Sequence, residues 1–455
     1  MTHDDTSDRH DTRGSPTERK DPWVESPAHA YPRDLARLVQ SRWPEMQPET
    51  HLGLRLPEPA QLEEILSICY QASLLREEGR PVTFRVAFGA PELFPAPAGP
   101  PAGLHRLVFR DSRPFDQHEL RRLAPTAIFS RSLVGAIADP AGARIWGVIH
   151  SGAHWLQSVR GGRETEQAIP PVLIVAVAGP GRVLVSAGTT TIAKLTHGTL
   201  VSRGIDVFQA SWLEDFLAPI GESNLAPEEG DRRSLDSSAI VDARFRAVLA
   251  SHVLRRVLAT VRSAQHGGML IIVPEHRANE MLENERYIRL KYAFLDEEPR
   301  QRIRTLTTAI MTELATMHPG EVVGWKEYER SDARQLIESD EALFEAAQLI
   351  SDLTHVDGAV VMTTRLDVLG FGGEIAGDLP EVPSVTRARD LEGTTRESVR
   401  TDRVGTRHRS AYRLCNVLRD ALALVVSQDG GLRFVRWQGD TVTYWEQVAT
   451  APWEV

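Results

Sequence analysis

The sequence predicts an α/β protein made of two successive domains, an α/β domain followed by one with a mixed β-sheet flanked by helices, and three observations lead there. Short apolar runs of strand length recur along the chain, broken by glycine and proline and interleaved with longer stretches of helical period. A segment rich in Pro, Glu, Gly, Asp and Ser at 225–239 has the composition of a linker. The length of 455 residues exceeds what one hydrophobic core usually serves.

Residues 1–29 are polar and lack the apolar stretch of a signal peptide, so a disordered tail is expected there. A first domain is expected over 30–224. Helical spacing covers Asp34–Arg42 and Pro57–Glu78, with Leu62, Ile65, Leu66 and Cys69 on one face. Pro81–Phe88 alternates as a strand, and Phe94–Gly103 is a Pro/Ala/Gly loop. Ile145–Ile149, Val172–Ala178, Arg182–Ser186 and Thr191–Leu195 read as strands separated by turn residues. The second domain, 240–455, opens with a helix over Ile240–Ala264 whose apolar residues recur at helical spacing. Strand Met269–Val273, helices Arg300–Met317 and Ala333–Leu353, and the hairpin-like pair Val360–Met362 and Val368–Phe371 come next. The series closes with helix Arg407–Ala421 and strands Leu422–Val426, Leu432–Trp437 and Val442–Trp445. Strands mixed with packing helices give an α/β sheet domain.

A net charge of −10 argues against a whole-protein basic field for nucleic acid but leaves room for a local cationic pocket. No run of about 18 apolar residues exists, so no membrane span is expected. The two cysteines, Cys69 and Cys415, are far apart and flanked by apolar residues; a reducing cytoplasm and buried small hydrophobes are expected. The halves echo one another: Val82–Phe88 parallels Met269–Val273, and Val134-Gly135-Ala136 parallels Asp357-Gly358-Ala359. An old duplication and two unrelated α/β domains both explain the echo.

The chemistry-bearing residues lie in the second half. Asp357-Gly358-Ala359 heads an apolar run, Gly405-Thr406-Arg407-His408-Arg409 opens a helix, and Ser427 ends a strand. A carboxylate holds a hard divalent cation, guanidiniums clamp phosphate oxygens, and a helix start offers N–H groups to an anion. This combination resembles the diadenylate cyclase domain, which joins two ATP into cyclic di-AMP and two pyrophosphates, and the resemblance runs from about Ile240 to the C-terminus. It implies a cyclase-like α/β domain preceded by a sensor-like one. It implies Asp357 as ligand of Mg2+ or Mn2+ and polariser of the attacking hydroxyl, Gly358 and Ala359 as room for the nucleotide, and Gly405, Thr406, Arg407, His408 and Arg409 as the triphosphate cradle, with Thr406 as helix cap. Ser410 and Ser427 stand where family members add hydroxyl contacts, and Ile375 where an apolar residue packs on adenine. Each site holds one ATP, so a homodimer or larger symmetric assembly is implied.

Departures from the family pattern are visible. About 45 residues separate the two motifs, and the extra part, 378–403, is polar and reads as a mobile loop beside the pocket. Gln428 stands where some members carry an acid. No membrane helices and no DNA-binding module after the cyclase region are expected. The ligand of the first domain is unknown from sequence. A catalytically inactive nucleotide-binding receptor of the same fold is the alternative function. Lesser motifs are His150 with His154, which lack a third metal ligand; Gly179-Pro180-Gly181, a tight turn; and Arg255-Arg256, expected as a solvated basic edge.

Overall fold

Apolar runs of strand length assemble into two large mixed sheets, one in each half of the chain. The computed structural model describes residues 29–43, 56–94, 104–152, 162, 169–188, 190–202, 205–218, 240–242, 244–264, 266–294, 297–331, 333–402, 404–428 and 431–447. The expected tail, apart from residue 29, and the expected linker lie outside the described residues. Among the described residues no helix is long and apolar enough to cross a membrane.

The first body is an eight-stranded sheet of β1 (Phe84–Phe88), β2 (His105–Pro114), β3 (Ser132–Asp139), β4 (Gly142–His150), β5 (Leu173–Gly179), β6 (Arg182–Ala187), β7 (Thr190–Thr196) and β8 (Thr199–Ser202). Their spatial order is β2-β4-β3-β1-β5-β6-β7-β8. Only β1 and β3 run parallel; the other neighbours are antiparallel. Helices α1 (Pro32–Arg42), α2 (Pro59–Ser73) and α3 (Gln117–Leu123) cover one face. Proline at the start of α1 and α2 costs no hydrogen bond there. The expected stripe Leu62, Ile65, Leu66 and Cys69 is buried, and truncating any one of its large members would cost about 2–5 kcal/mol. Asp116 caps α3 by accepting from the N–H groups of His118 and Glu119.

The second body repeats the plan. Its strands are β9 (Gly268–Val273), β10 (Ile288–Ala293), β11 (Ala359–Thr363), β12 (Val368–Ile375), β13 (Ser384–Ala388), β14 (Arg396–Arg400), β15 (Leu422–Val426), β16 (Leu432–Gln438) and β17 (Thr441–Gln447), in the order β10-β12-β11-β9-β15-β16-β17-β13-β14. With the β13–β14 hairpin set aside, chain order, spatial order and strand direction reproduce those of β1–β7. The shared topology favours the duplication reading of the echo. Helices α5 (Phe245–Ser263), α7 (Arg302–Met317), α8 (Trp325–Arg330) and α9 (Arg334–Leu353) share a core with one face, and α6 (Ala278–Glu283) and α10 (Thr406–Val417) pack on the other. Both cysteines are free and buried, as expected; burial pushes the Cys415 thiol up to about 12.

Four expectations need correction. Residues 378–403 are not a mobile loop: β13 and β14 form a hairpin joined to the sheet by parallel pairing with β17. Val385 and Ala388 are buried, one on each face of the sheet, and anchor a segment whose composition is otherwise polar. Arg255 and Arg256 are not a solvated edge. Arg256 is buried, with Nη2 2.6 Å from Asp340 Oδ1, and Arg255 Nη2 lies 2.9 Å from Asp206 Oδ2. The helix expected to reach Ala421 ends at Val417. The segment 205–218, expected in the first domain, packs into the core of the second. Its helix α4 (Ser211–Leu217) places Trp212 against Trp445 at 4.6 Å between ring centres, and Phe208 meets Phe434 edge-on at 5.4 Å. Val207 N–H donates to Gln447 Oε1 at 2.6 Å, and Glu392 at the tip of the β13–β14 hairpin accepts from Ser211 N and Oγ.

Candidate functional site

The two motifs meet at one end of the second sheet. The parallel strands β9 and β11 both start there, and their antiparallel neighbours β12 and β15 both end there. That geometry gathers Gly267, Asp357, Ile375 and Ser427 from four strands, and α10 begins beside them. Arg407 Nη2 lies 4.0 Å from Asp357 Oδ1. Asp357 is fully exposed and Arg407 about one-third exposed, so the pair stands open to a ligand.

Glycine is required at two points. Gly358 has φ +120, and a Cβ there would fall 2.6 Å from the Gly372 carbonyl carbon. Gly267 has φ +68, and a Cβ would fall 2.8 Å from Arg407 Nη1 and 2.9 Å from the Val426 carbonyl oxygen. The Arg407 side chain therefore lies across the Gly267 backbone, which fixes its approach to Asp357. Sequence reading did not single out Gly267. It also missed His266 and His355, whose ring centres are 3.7 Å apart beside Gly267 and Asp357. Residues so distant in the chain leave no spacing signal.

The helix cap differs from expectation. Gly405 is the N-cap and Thr406 the first helical residue, and no side chain caps the helix. This leaves the first turn of α10 open to an anion rather than closed by a hydroxyl. Arg409 is exposed, and among the described residues its side chain has no ion pair. His408 is partly buried, 6.5 Å from the Tyr412 ring. Ser410 is also partly buried. Burial pushes the Tyr412 hydroxyl up to about 12, so it stays protonated. It accepts from Arg433 Nη1 at 3.1 Å; Arg433 also binds Glu446, and Glu446 pairs with Arg387 of β13. Arg413 of α10 pairs with Glu381 at the hairpin base. The cradle helix is thus tied to the β13–β14 hairpin by two polar routes.

Three expected contacts look different in the structure. The Ala359 side chain is 1% exposed and sits in the core, so only its backbone is at hand for a nucleotide. Ile375 is half-buried and pairs with Ile288 at the sheet end, on the core's edge. Ser427 Oγ donates to the Gly431 carbonyl at 2.9 Å, closing the turn after β15. Among the described residues no group of three or more His, Cys, Asp or Glu is placed to hold a metal. One exposed carboxylate that shares an ion with substrate phosphates is a common arrangement for Mg2+, and Asp357 has that character. In the first body, His150 Nδ1 shares a hydrogen bond with Ser132 Oγ at 3.0 Å, and His154 lies outside the described residues.

Against known protein families, one region is recognised. Residues 53–150 match the family described as probable sensor domain DACNV. The DACNV region spans α2 through β4 of the first body, where sequence reading expected a sensor. No catalytic cyclase domain is detected in the second half, so the resemblance there stands on its motifs and their convergence. No curated protein and no solved structure matches the chain.

Proposed function

We propose that the protein is a diadenylate cyclase that condenses two ATP into cyclic di-AMP and two pyrophosphates, under control of the DACNV-containing first body. The observation that carries this reading is the approach of Asp357 to Arg407 at 4.0 Å beside the uncapped start of α10. Two motifs separated by about 45 residues meet at an exposed strand end with opposite charges side by side. The sensor match, whose designation associates it with diadenylate cyclases, supports the reading.

Arg407, His408 and Arg409 hold the triphosphate, and the first turn of α10 adds backbone N–H groups. Their positive charge stabilises the departing pyrophosphate. A divalent ion, held by Asp357 and the phosphates, would neutralise charge on the reacting phosphate. Asp357 orients the 3′-hydroxyl. Each hydroxyl must attack the α-phosphorus of a nucleotide held elsewhere, so two copies of the domain face one another across a twofold axis. Regulation has a covalent route: the chain leaves β8 and within a few residues docks through α4 onto the hairpin that is tied to the cradle helix.

The test is direct. The full chain, incubated with ATP and Mg2+ or Mn2+, forms cyclic di-AMP, and Asp357→Ala forms none while still binding ATP. Absence of product with either ion, with ATP still bound, replaces the enzyme by the nucleotide-binding receptor.

A further inference from the structure

The start of β3 in the first body occupies the place that the start of β11 occupies in the second, and strand pairing together with the burial faces aligns the two. Val86 of β1 faces Val134 on one side and Val175 on the other. Leu270 of β9 faces Val360 and Leu424 in the same way. Val134 thus answers to Val360. The facing agrees: Val134 and Val360 bury on the faces of the larger helices, while Leu133 and Ala359 bury on the opposite faces. Counting three residues back along the chain, Arg131 answers in sequence to Asp357 and Ser132 to Gly358, although the backbone differs there, since Gly358 has φ +120 and Ser132 has no positive φ. The sequence echo had paired Val134 with Asp357; the register corrects it by three residues. The correction changes the chemistry, because the acid is matched by a guanidinium rather than by an apolar side chain.

The surroundings suit a negative ligand. Arg131 is exposed, and among the described residues its side chain has no ion pair or hydrogen bond. Arg85 of β1 is fully buried, and its Nη2 donates to the carbonyl of the next residue, Ser132, at 3.2 Å, while its guanidinium lies 5.5 Å over the Phe129 ring. The Ser132 hydroxyl and the His150 imidazole share their hydrogen bond at the same strand end. Ser151 Oγ donates to the Arg131 carbonyl at 3.0 Å and fixes the backbone there. Burial pushes the Arg85 guanidinium below the ordinary arginine range, and an anion bound alongside would oppose that shift.

We propose that this end of the first sheet is a metal-independent site for a phosphate-bearing ligand, gripped by Arg131, with Ser132 and His150 beside it and the buried charge of Arg85 behind. Guanidinium, hydroxyl and imidazole are each phosphate-binding groups, and among the described residues no carboxylate stands at the strand start to recruit a divalent ion. The inference deepens the regulatory half of the proposed function and rests on it for the choice of adenine nucleotides as probes. The phosphate can come from ATP, from cyclic di-AMP or from free phosphate, and the experiment separates the three.

The full chain is titrated calorimetrically in EDTA with ATP, cyclic di-AMP and inorganic phosphate, each alone. At least one of them binds with an affinity that Arg407→Gln leaves unchanged and Arg131→Gln weakens tenfold or more, and Arg131→Lys recovers part of the loss. Arg131 is exposed, so its variants keep the wild-type melting temperature and a loss of binding is not a loss of fold. The inference is overturned if no probe binds in EDTA, if Arg131→Gln leaves binding intact, or if Arg407→Gln removes all of it. A chain that makes no cyclic di-AMP yet loses its ligand in Arg131→Gln keeps this site and discards the cyclase reading.

Discussion

The two sheets share one strand order and one set of strand directions, yet they differ at the strand end where ligands would meet them. The second body presents Asp357 before β11, a glycine behind it, and an arginine across Gly267. The first body presents Arg131 and Ser132 at the matching positions, over a buried arginine. Among the described residues the β13–β14 hairpin has no counterpart in the first sheet, and it is the element on which α4 docks. A common frame thus carries opposite charge at one position, which bears on function far more than the frame does.

The widest gap between the halves should appear in catalysis. Asp357→Asn is expected to lower cyclic di-AMP formation on the order of a thousandfold, whereas Arg131→Asp in the first body leaves the chemical step intact, as read by chromatography of the nucleotide products. Next in size is the joint. Trp212→Ala strips an indole from between Trp445 and Phe434 and should destabilise the second body by about 3–5 kcal/mol, without moving the transition of the first in scanning calorimetry. Equal loss in both would mean that they unfold as one unit.

The matched glycine and serine give a smaller contrast. Gly358→Ala forces a Cβ against the Gly372 backbone at positive φ and should cost about 2–3 kcal/mol in denaturant titrations. Ser132→Ala loses one hydrogen bond to His150 and should cost about 1 kcal/mol. The smallest effect is acid loosening of the hairpin tip. Partial burial works against ionisation of Asp390, but hydrogen bonds from Thr394 and Thr395 outweigh it and hold the carboxyl at about 2. A depressed folded value means that this stabilisation is complete above the ordinary aspartate value of about 3.9 and fades as pH falls toward about 2. Amide exchange of 389–397 should therefore quicken across that window in the wild type and change less with pH in Asp390→Asn.

Much of the frame was legible because the central strands are apolar runs bounded by turn residues. Val172–Ala178, Leu422–Val426 and Met269–Val273 fall within a residue or two of their observed limits. Of the strands that escaped, Ser132–Asp139 lies inside the first sheet, while others are edges. His105–Pro114 and Ile288–Ala293 pair on one side only and are largely exposed, so their side chains carry no alternation to read. The hairpin 384–400 reads as a loop because its stabilising partners, Glu446 and Ser211, lie outside it in sequence. At the site, Asp357 and Arg407 were found through their motifs. Gly267, His266 and His355 were not, because their part is a matter of proximity in space. The Val134 alignment followed letters where register decides, and strand pairing supplies register only once the sheet is assembled.

The aromatic seam between α4 and β16–β17 has a practical corollary. The second body's hydrophobic interior is completed by residues that precede its first helix by some thirty positions, among them Phe208 and Trp212. A fragment begun at residue 240 would leave Trp445 and Phe434 facing water, so a stand-alone second body has to start upstream of Ile205.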